Sequence, residues 1–274
     1  MSKIKNIGVI CLIALFFISC GEYQKVLNKG TIEEQYKMAS DLYEAENYNK
    51  AIQLFEKVVP GFRGKPQMER IQFMISDCYY KTKQYSLAAY HFDRFSKNYP
   101  KSTKQEEAAF LAAQSYYLDT NVYSLDQTTT YEALEAMQLF MNTYPESSRI
   151  EDANMTIQEL RLKLETKAFE TAKQYHHIED YIAAITAFDN LIGDYLGTKY
   201  REEAMYLKFD AGYELAMNSY FTKKEERIKN AVKYHEKFVK SYPNSEFLEK
   251  TDKKLEDLNK ELAAHEELAA SFEN

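Results

Sequence analysis

The chain has 274 residues, with 35 Lys and Arg against 42 Asp and Glu, which gives a formal net charge of −7. Such an acidic chain argues against nucleic acid as a partner, because neutralising phosphates requires a basic face. With only 8 Gly and 5 Pro and no sustained alternation of apolar and polar residues, the sequence predicts an all-α fold.

Residues 1–19 are predicted to be a lipoprotein signal peptide. Lys3 and Lys5 precede an apolar run from Ile7 to Ile18, which is shorter than the about 20 residues that span a bilayer but typical of a secretory signal. Phe17-Ile-Ser-Cys20 resembles a bacterial lipobox. We therefore expect covalent lipid on Cys20, membrane attachment through it, and no other cofactor. The alternative is an ordinary secretory signal with an unmodified Cys20.

Residues 20–30 are predicted to form a lipidated tether, and Thr31-Ile-Glu-Glu34 indicates a capping box at the start of the first helix. Further along, one phrase recurs three times in full, as FSKNYPKS (95–102), FMNTYPES (140–147) and FVKSYPNS (238–245). Weaker copies occupy 191–198 and 58–62. A recurring phrase of this kind is typical of a repeat protein.

Each copy is preceded by the same spaced residues. The equivalent starting positions Tyr48, Tyr85, Thr130, Tyr181 and Ile228 lie 37, 45, 51 and 47 residues apart. Three residues later stand Ala51, Ala88, Ala133, Ala184 and Ala231, and four residues further on stand Phe55, Phe92, Met137, Phe188 and His235. The spacing of four places each pair on one helix face. Pro then ends the helix, and the Ser or Thr two residues beyond it is expected to cap the next one.

These features predict a tetratricopeptide-like α-solenoid of about five helical hairpins and a C-terminal capping helix. We expect front repeats 1–3 over 31–147 and a long connecting helix over 148–175, a stretch that lacks Pro and Gly. Back repeats 4 and 5 are expected over 176–245, and the C-terminal helix over 246–274.

No catalytic or metal-binding pattern stands out in the sequence. His176 and His177 are adjacent and so point to different helix faces, and there is no phosphate loop, nucleophile elbow or zinc-spaced Cys set. If Cys11 leaves with the signal and Cys20 carries lipid, Cys78 is the one remaining thiol, and a packing role is expected for it. We predict that the chain is not an enzyme and binds no metal.

Aromatic residues recur at two positions of the first helix of each hairpin. The first position holds Tyr36, Phe73, Phe110, Phe169 and Tyr206, and the second holds Tyr43, Tyr80, Tyr117 and Tyr213. Aromatic side chains are enriched at recognition surfaces. We expect those of the front repeats to form a groove for an extended peptide, namely Tyr36, Tyr43, Phe73, Tyr80, Phe110 and Tyr117. The alternative is that these rings pack helix to helix inside the stack.

The back repeats are expected to bind a partner protein through Phe169, Tyr206, Tyr213 and Arg227. Arg227 lies in a basic run over 221–240, which has seven Lys and Arg against three Glu. Such a run suits an acidic partner surface. The alternative is a solvated helix face without a partner.

The chain resembles the BamD (YfiO-like) family, particularly forms from Bacteroidetes-type bacteria. The resemblance rests on Cys20 followed by Gly-Glu-Tyr-Gln-Lys-Val-Leu27, on the three Tyr-Pro-x-Ser phrases and on the long helix after Ser148. It implies a lipid-anchored protein at the periplasmic face of the outer membrane, a scaffold subunit of the β-barrel assembly machine. It further implies that the front repeats bind unfolded outer-membrane proteins and that the back repeats bind the barrel-shaped core subunit.

Two other functions stay open. The chain is also compatible with another tetratricopeptide lipoprotein adaptor, for secretion, pilus assembly or envelope division, and co-purification with a large barrel protein separates that function from barrel assembly. A glycan-binding lipoprotein of the SusD type is the second, although such chains are longer, carry large insertions for sugar contacts, and this chain has no Trp.

Overall fold

The computed structural model describes residues 21–273, which are α-helical apart from short connections and contain no strand. The predicted signal peptide and Cys20 lie outside these described residues. The helices are α1 (residues 21–29), α2 (Ile32–Glu44), α3 (Tyr48–Val58), α4 (Gln67–Lys81), α5 (Tyr85–Asn98), α6 (Gln105–Leu118), α7 (Thr128–Thr143), α8 (Ile150–His177), α9 (Tyr181–Asp194), α10 (Arg201–Met217), α11 (Phe221–Ser241) and α12 (Leu248–Glu273). A 3-10 turn, Val59–Phe62, follows α3. The predicted all-α, tetratricopeptide-like fold is confirmed.

The helices group into two compact units. Unit 1 extends to Asn121 and resumes over Asp126–Leu160, and unit 2 comprises Val122–Leu125 and Arg161–Asn274. Hairpins α2–α3, α4–α5 and α6–α7 belong to unit 1, and helices α9 to α12 belong to unit 2. The long helix expected over 148–175 is observed as α8, and the division between the units falls within it.

The spaced residues of the five copies form the buried faces of the hairpins. All five alanines at the repeated position are completely buried: Ala51, Ala88, Ala133, Ala184 and Ala231. The bulky residues four positions later are also buried: Phe55, Phe92, Met137, Phe188 and His235. A short side chain at the first position lets the facing helix come close, and the larger one then fills the space between them.

The Tyr-Pro-x-Ser phrase builds the same turn each time. The amide of Ser102 donates to the carbonyl of Tyr99 at 3.0 Å, and the Ser102 hydroxyl accepts from the amide of Lys104 at 3.0 Å. Both bonds recur in the turns after Tyr144 and Tyr242, and also after Tyr195, where the weaker copy has Leu-Gly-Thr in place of Pro-x-Ser, at 3.0 to 3.2 Å. The Ser or Thr was expected to cap the next helix, and this was wrong for α6 and α10: their N-cap residues are Lys104 and Tyr200, and neither makes a side-chain capping bond. The hydroxyl of Ser102 or Thr198 instead accepts from the amide of that N-cap residue and so closes the turn before the helix.

The turns inside three hairpins share a different geometry. Glu46, Lys83 and Glu179 have φ angles of 58°, 60° and 64°, in the left-handed region that usually favours Gly. In each case the backbone amide of the following residue donates to a carbonyl in the last turn of the preceding helix, as the amide of Asn47 does to the carbonyl of Leu42 at 2.8 Å. The sequence carries no Gly at these positions, so this type of helix end was not predictable from residue type.

Each unit contains two apolar cores. In unit 1 one core surrounds Phe55 and Phe92, and the other contains Phe110. In unit 2 one core contains Phe169, and the other includes Leu258 of α12 packed with α10 and α11. Leu258 is fully buried, so α12 closes the core of the last hairpin.

The segment 20–30, expected to be a tether, is folded over its described part. Residues 21–29 are helical, Tyr23 is 5% exposed, and its hydroxyl donates to Oε1 of Gln53 at 2.8 Å. The sequence pattern did not indicate this packing because one aromatic residue in a short segment defines no period. The capping box expected at Thr31 and Glu34 is present.

Candidate protein-binding surfaces

The aromatic residue at the first repeated position lies on the first helix of each hairpin. Its ring packs against a second ring, which lies either near the end of the second helix or in the connection after that helix. The ring centroids are 4.3 to 5.4 Å apart in all five pairs. The pairs are Tyr36–Phe62, Phe73–Phe95, Phe110–Phe140, Phe169–Tyr200 and Tyr206–Phe247. Aromatic pairs at these distances stabilise beyond the area they bury. This position therefore has a packing role in every hairpin.

Two of the predicted binding residues are core residues. Phe110 is 8% exposed and Phe169 is 2% exposed, so neither ring is available to a partner on the surface of its unit. For these two the prediction was wrong, and packing from helix to helix describes them, because their register faces the second helix of the hairpin. Tyr36, Phe73 and Tyr206 are half-buried.

Basic side chains cover part of the same rings. The ammonium of Lys104 lies 5.3 Å from the centroid of Phe73, and the guanidinium carbon of Arg149 lies 5.5 Å from that of Phe110. Each of the two cationic residues lies two residues after the Ser of a Tyr-Pro-x-Ser phrase, so the shared turn places both side chains over the ring in the same way. Cation–π contacts of this kind stabilise the turn and reduce the open area of the ring.

The residues at the second repeated position are all half-buried. Besides the four tyrosines predicted from the sequence, this position holds a histidine in the fourth hairpin. His176 stands seven residues after Phe169, just as Tyr43 stands seven after Tyr36. The three rings at this position that contact the start of the next helix do so edge-on, at centroid distances of 5.7 to 5.8 Å: Tyr43–Tyr48, Tyr80–Tyr85 and His176–Tyr181. The repeat spacing was the signal that identifies His176.

Side chains at the second position hydrogen-bond to a carboxylate on the next first helix. In unit 1 the Tyr43 hydroxyl donates to Asp77 at 2.6 Å, and the Tyr117 hydroxyl donates to Glu159 at 2.5 Å. Burial, followed by the bond to Asp77, raises the pKa of Tyr43 well above its usual value. This face of unit 1 thus presents half-buried rings beside carboxylates, a chemistry that accommodates apolar and hydrogen-bonding groups of an extended chain.

In unit 2 the equivalent contact belongs to a network of charges. Asp210 accepts from Nε2 of His176 at 2.9 Å and from Nζ of Lys254 at 2.6 Å, and Lys254 also donates to Glu214 at 3.0 Å. Burial alone would raise the pKa of Asp210, but the bonds from His176 and Lys254 outweigh it and hold that pKa below its usual value. Lys254 also lies 4.3 Å from the centroid of Tyr213. Tyr213 is therefore covered by α12.

Arg227 is held within unit 2. Its Nη1 donates to the hydroxyl of Ser219 at 2.7 Å, and its side chain is half-buried. Nearby, Lys224 pairs with Glu261 of α12 at 2.5 Å, and Lys229 pairs with Glu225 on its own helix. In the first part of the basic run, Lys224 therefore links α11 to α12, whereas Lys223 and Lys229 remain largely exposed on α11.

A basic cavity lies between α9, α10 and α11 in unit 2. It has a volume of about 300 Å³ and is lined by Arg201, Lys208, Lys237 and Lys240, with Asp189 as its one carboxylate. Lys208 is 9% exposed, donates to Asp189 at 2.5 Å, and lies 4.1 Å from the centroid of the Tyr234 ring. Four cations against one carboxylate suit an acidic side chain or another anion.

In residues 21–273, we found no helix that combines the length and the apolar character needed to cross a bilayer. The same residues contain no group of three or more His, Cys, Asp or Glu side chains placed to hold a metal ion.

The chain matches the family model YfiO, described as outer membrane lipoprotein, over residues 28–227 and 219–274. The chain belongs to the YfiO family. This confirms the resemblance predicted from the lipobox and the repeated phrase, while the Bacteroidetes-type assignment stays a prediction.

Three relatives of this YfiO chain carry the name outer membrane protein assembly factor BamD. The one from Caulobacter vibrioides is 25% identical over 70% of this chain and 63% of its own length. That from Neisseria meningitidis serogroup B is 24% identical over 64% and 69%, and that from Haemophilus influenzae is 21% identical over 80% and 87%. The match thus spans less than two thirds of the Caulobacter protein. A designed, self-assembling cyclic homooligomer aligns over 90% of this chain and 91% of its own, at 17% identity and a TM-score of 0.20, which supports no statement about the fold.

The basic cavity of this YfiO chain was only partly predictable. Lys237 and Lys240 belong to the basic run identified in the sequence, whereas Arg201 and Lys208 come from α10, which is not basic overall. Their convergence depends on the packing of α10 against α11. No local pattern in either helix indicates it.

Proposed function

We propose that this YfiO-family chain is a non-catalytic scaffold subunit of an outer-membrane β-barrel assembly machine. Lipid on Cys20 attaches it to the outer membrane, where it faces the periplasm. The family match over residues 28–227 and 219–274 carries the proposal, and the names of the three relatives support it. Tetratricopeptide-like hairpins by themselves serve many adaptors and are not specific.

Unit 1 binds unfolded outer-membrane proteins along the first helices of its hairpins. The half-buried rings of Tyr43, Tyr80 and Tyr117 support this role, since they are held in place by edge contacts and by bonds to Asp77 and Glu159. Preformed aromatic surfaces bind extended chains at low entropic cost. Tyr36 and Phe73, which are half-buried, are proposed to contribute the parts of their rings that remain accessible.

Unit 2 binds the barrel-shaped core subunit. The basic cavity supports this role, because Lys237 and Lys240 are exposed and Lys208 and Arg201 are positioned beneath them by Asp189 and the carbonyl of Ile192. An acidic side chain of the core subunit fits this arrangement. Tyr206 of α10 and Arg227 of α11 do not line the cavity and are proposed as additional contacts on the same two helices.

Photo-crosslinking from intact membranes tests the proposal. A photoreactive residue at Tyr117 is expected to capture unfolded barrel proteins, and one at Lys237 is expected to capture a single large barrel protein. A photoreactive residue at Tyr131, which is 58% exposed on α7, serves as the matched control and captures neither. If the probes at Tyr117 and Lys237 give the same products as the control, the chain is not a barrel-assembly subunit.

A further inference from the structure

Helix α1 is fixed to unit 1 close to its beginning. Tyr23 is 5% exposed and its hydroxyl donates to Gln53 of α3 at 2.8 Å. The ammonium of Lys50, also on α3, lies 5.1 Å from the centroid of the Tyr23 ring. A buried tyrosine with its hydroxyl satisfied is a stable anchor, so the chain is held from residue 23 onward.

The other end of α1 is fixed as well. The side-chain amide of Gln35, a residue that is 5% exposed, donates through Nε2 to the carbonyls of Val26 at 3.1 Å and Leu27 at 3.2 Å. The ammonium of Lys57 donates to the Leu27 carbonyl too. Both carbonyls belong to the last turn of α1, where a helix runs out of backbone donors; that of Val26 also accepts from the amide of Gly30 at 2.9 Å. Because the capping box at Thr31 starts α2 almost at once, the described chain has no free linker before the first hairpin.

This arrangement limits how far unit 1 can lie from lipid on Cys20. Two residues, Gly21 and Glu22, lie between Cys20 and Tyr23, and the three residue steps from Cys20 to Tyr23 span at most about 11 Å when fully extended. We propose that α1 is a rigid strut that holds unit 1 directly against the membrane surface, with its lysines on the anionic lipid headgroups. The proposal rests on the lipidation of Cys20 in the proposed function, and it places the substrate-binding unit at the membrane.

The charges around α1 suit such a surface. Lys25 and Lys29 are exposed and four residues apart on α1, and Lys50 and Lys57 reach α1 from α3. Glu22 is the one carboxylate within α1. Basic residues close to a membrane are attracted by anionic headgroups over about a Debye length. The chain as a whole has a net charge of −7, so this group of four lysines is a local positive region in an acidic protein.

A fluorophore on α1 tests the position of the strut. Asn28→Cys places a thiol on an exposed residue, while Cys78 is fully buried and burial raises its pKa to about 12, so a maleimide labels only the new thiol. The acylated full-length protein is reconstituted in vesicles of phosphatidylethanolamine and phosphatidylglycerol that carry a headgroup-bound quencher. The comparison protein has about twelve Gly and Ser residues inserted between Gly21 and Glu22, which adds about 20 Å of flexible reach.

We expect strong quenching in the uninserted protein and the loss of most of it after the insertion. Equal, weak quenching in both proteins would overturn the strut while leaving lipidation intact. Mass spectrometry of the N-terminal peptide reports acylation separately, so an unmodified Cys20 would overturn the anchoring in the proposed function, and the strut with it.

Charge reversal tests the headgroup contact. Lys25→Glu with Lys29→Glu is expected to reduce quenching in the anionic vesicles and to leave it unchanged in phosphatidylcholine vesicles. The matched control is Lys81→Glu with Lys101→Glu, two exposed lysines elsewhere in unit 1. If both pairs of substitutions have the same effect in anionic vesicles, the lysines of α1 do not contact headgroups.

Discussion

Asp210 is a buried carboxylate that joins three helices of unit 2. It accepts from His176 of α8 and from Lys254 of α12, and it is 9% exposed. Asp210→Ala leaves both donors short of a partner, so we expect a loss of about 1–3 kcal/mol in the free energy of unfolding, measured by urea denaturation. Asp93→Ala removes an exposed pair with Lys97 and should cost less than about 1 kcal/mol.

The pH dependence of the same variant follows from the direction of the pKa shift. Because the pKa of Asp210 is held below its usual value of 3.8 in the folded chain, its stabilising contribution is present above that value and is lost as the pH falls through the lower one. The stability difference between the wild type and Asp210→Ala should therefore shrink below about pH 4. A difference that grows on acidification would contradict this assignment.

Phe110 and Tyr117 stand seven residues apart on α6 but have different expected roles. Phe110→Ala removes a ring that is 8% exposed and packed on Phe140, and we expect it to cost about 3–5 kcal/mol of stability. Tyr117→Ala removes a half-buried ring and should lower the capture of unfolded barrel protein in a pull-down, at a smaller cost in stability. Tyr117→Phe keeps the ring and should retain most of the capture, and a loss equal to that of Tyr117→Ala would assign recognition to the hydroxyl.

The repeated spacing of residue types predicted correctly which residues are buried. It did not predict which aromatic residues are accessible to a binding partner. Ala88 and Phe92 were expected on a packed face and are fully buried. Phe110 was expected in a groove because an aromatic residue at a recurring position is equally consistent with recognition and with packing. Only the contact with Phe140, which joins two helices, distinguishes the two roles.

At the level of elements, Gly212 of α10 lies directly against Tyr234 and Ala231 of α11. A Cβ built there would lie 2.9 Å from Cδ2 of Tyr234, and that ring is also held by Lys208. Gly212→Ala gains helix propensity of up to about 1 kcal/mol, but overpacking costs about 1–3 kcal/mol, so we expect a net loss in thermal unfolding. Gly193→Ala, on α9 with nothing within 4 Å, should instead be neutral or stabilising.

Some helix ends can be predicted from the type of residue at the end, and others cannot. The end of each helix at Tyr-Pro was predicted because Pro stops a helix, whereas Ser102 was expected to cap α6 and instead accepts from Lys104 within the turn. The turns at Glu46 and Lys83 were not, because a charged residue with positive φ leaves no mark in composition. Helix α1 was missed for a related reason, since its packing depends on single contacts, from Gln35 nine residues after Val26 and from Gln53 thirty residues after Tyr23, which form no repeating pattern.

At the level of the whole molecule, each unit has its own apolar cores, and the proposed partners differ between them. Binding defects should therefore separate. Lys237→Glu with Lys240→Glu changes two exposed cations of the basic cavity without touching the pair between Lys208 and Asp189.

We expect that double variant to lose most co-purification with the large barrel protein while its probe at Tyr117 still captures unfolded barrel substrates. The control, Lys81→Glu with Lys101→Glu, makes the same charge change on exposed lysines of unit 1 and should retain the barrel protein. The difference in co-purification between the wild type and this double variant should narrow at higher ionic strength, because salt screens exposed charges over about 8 Å at physiological concentration and over less at higher salt. Equal loss in both double variants would mean that net charge, rather than the cavity, controls docking, because the two proteins carry the same total charge and differ only in where it lies.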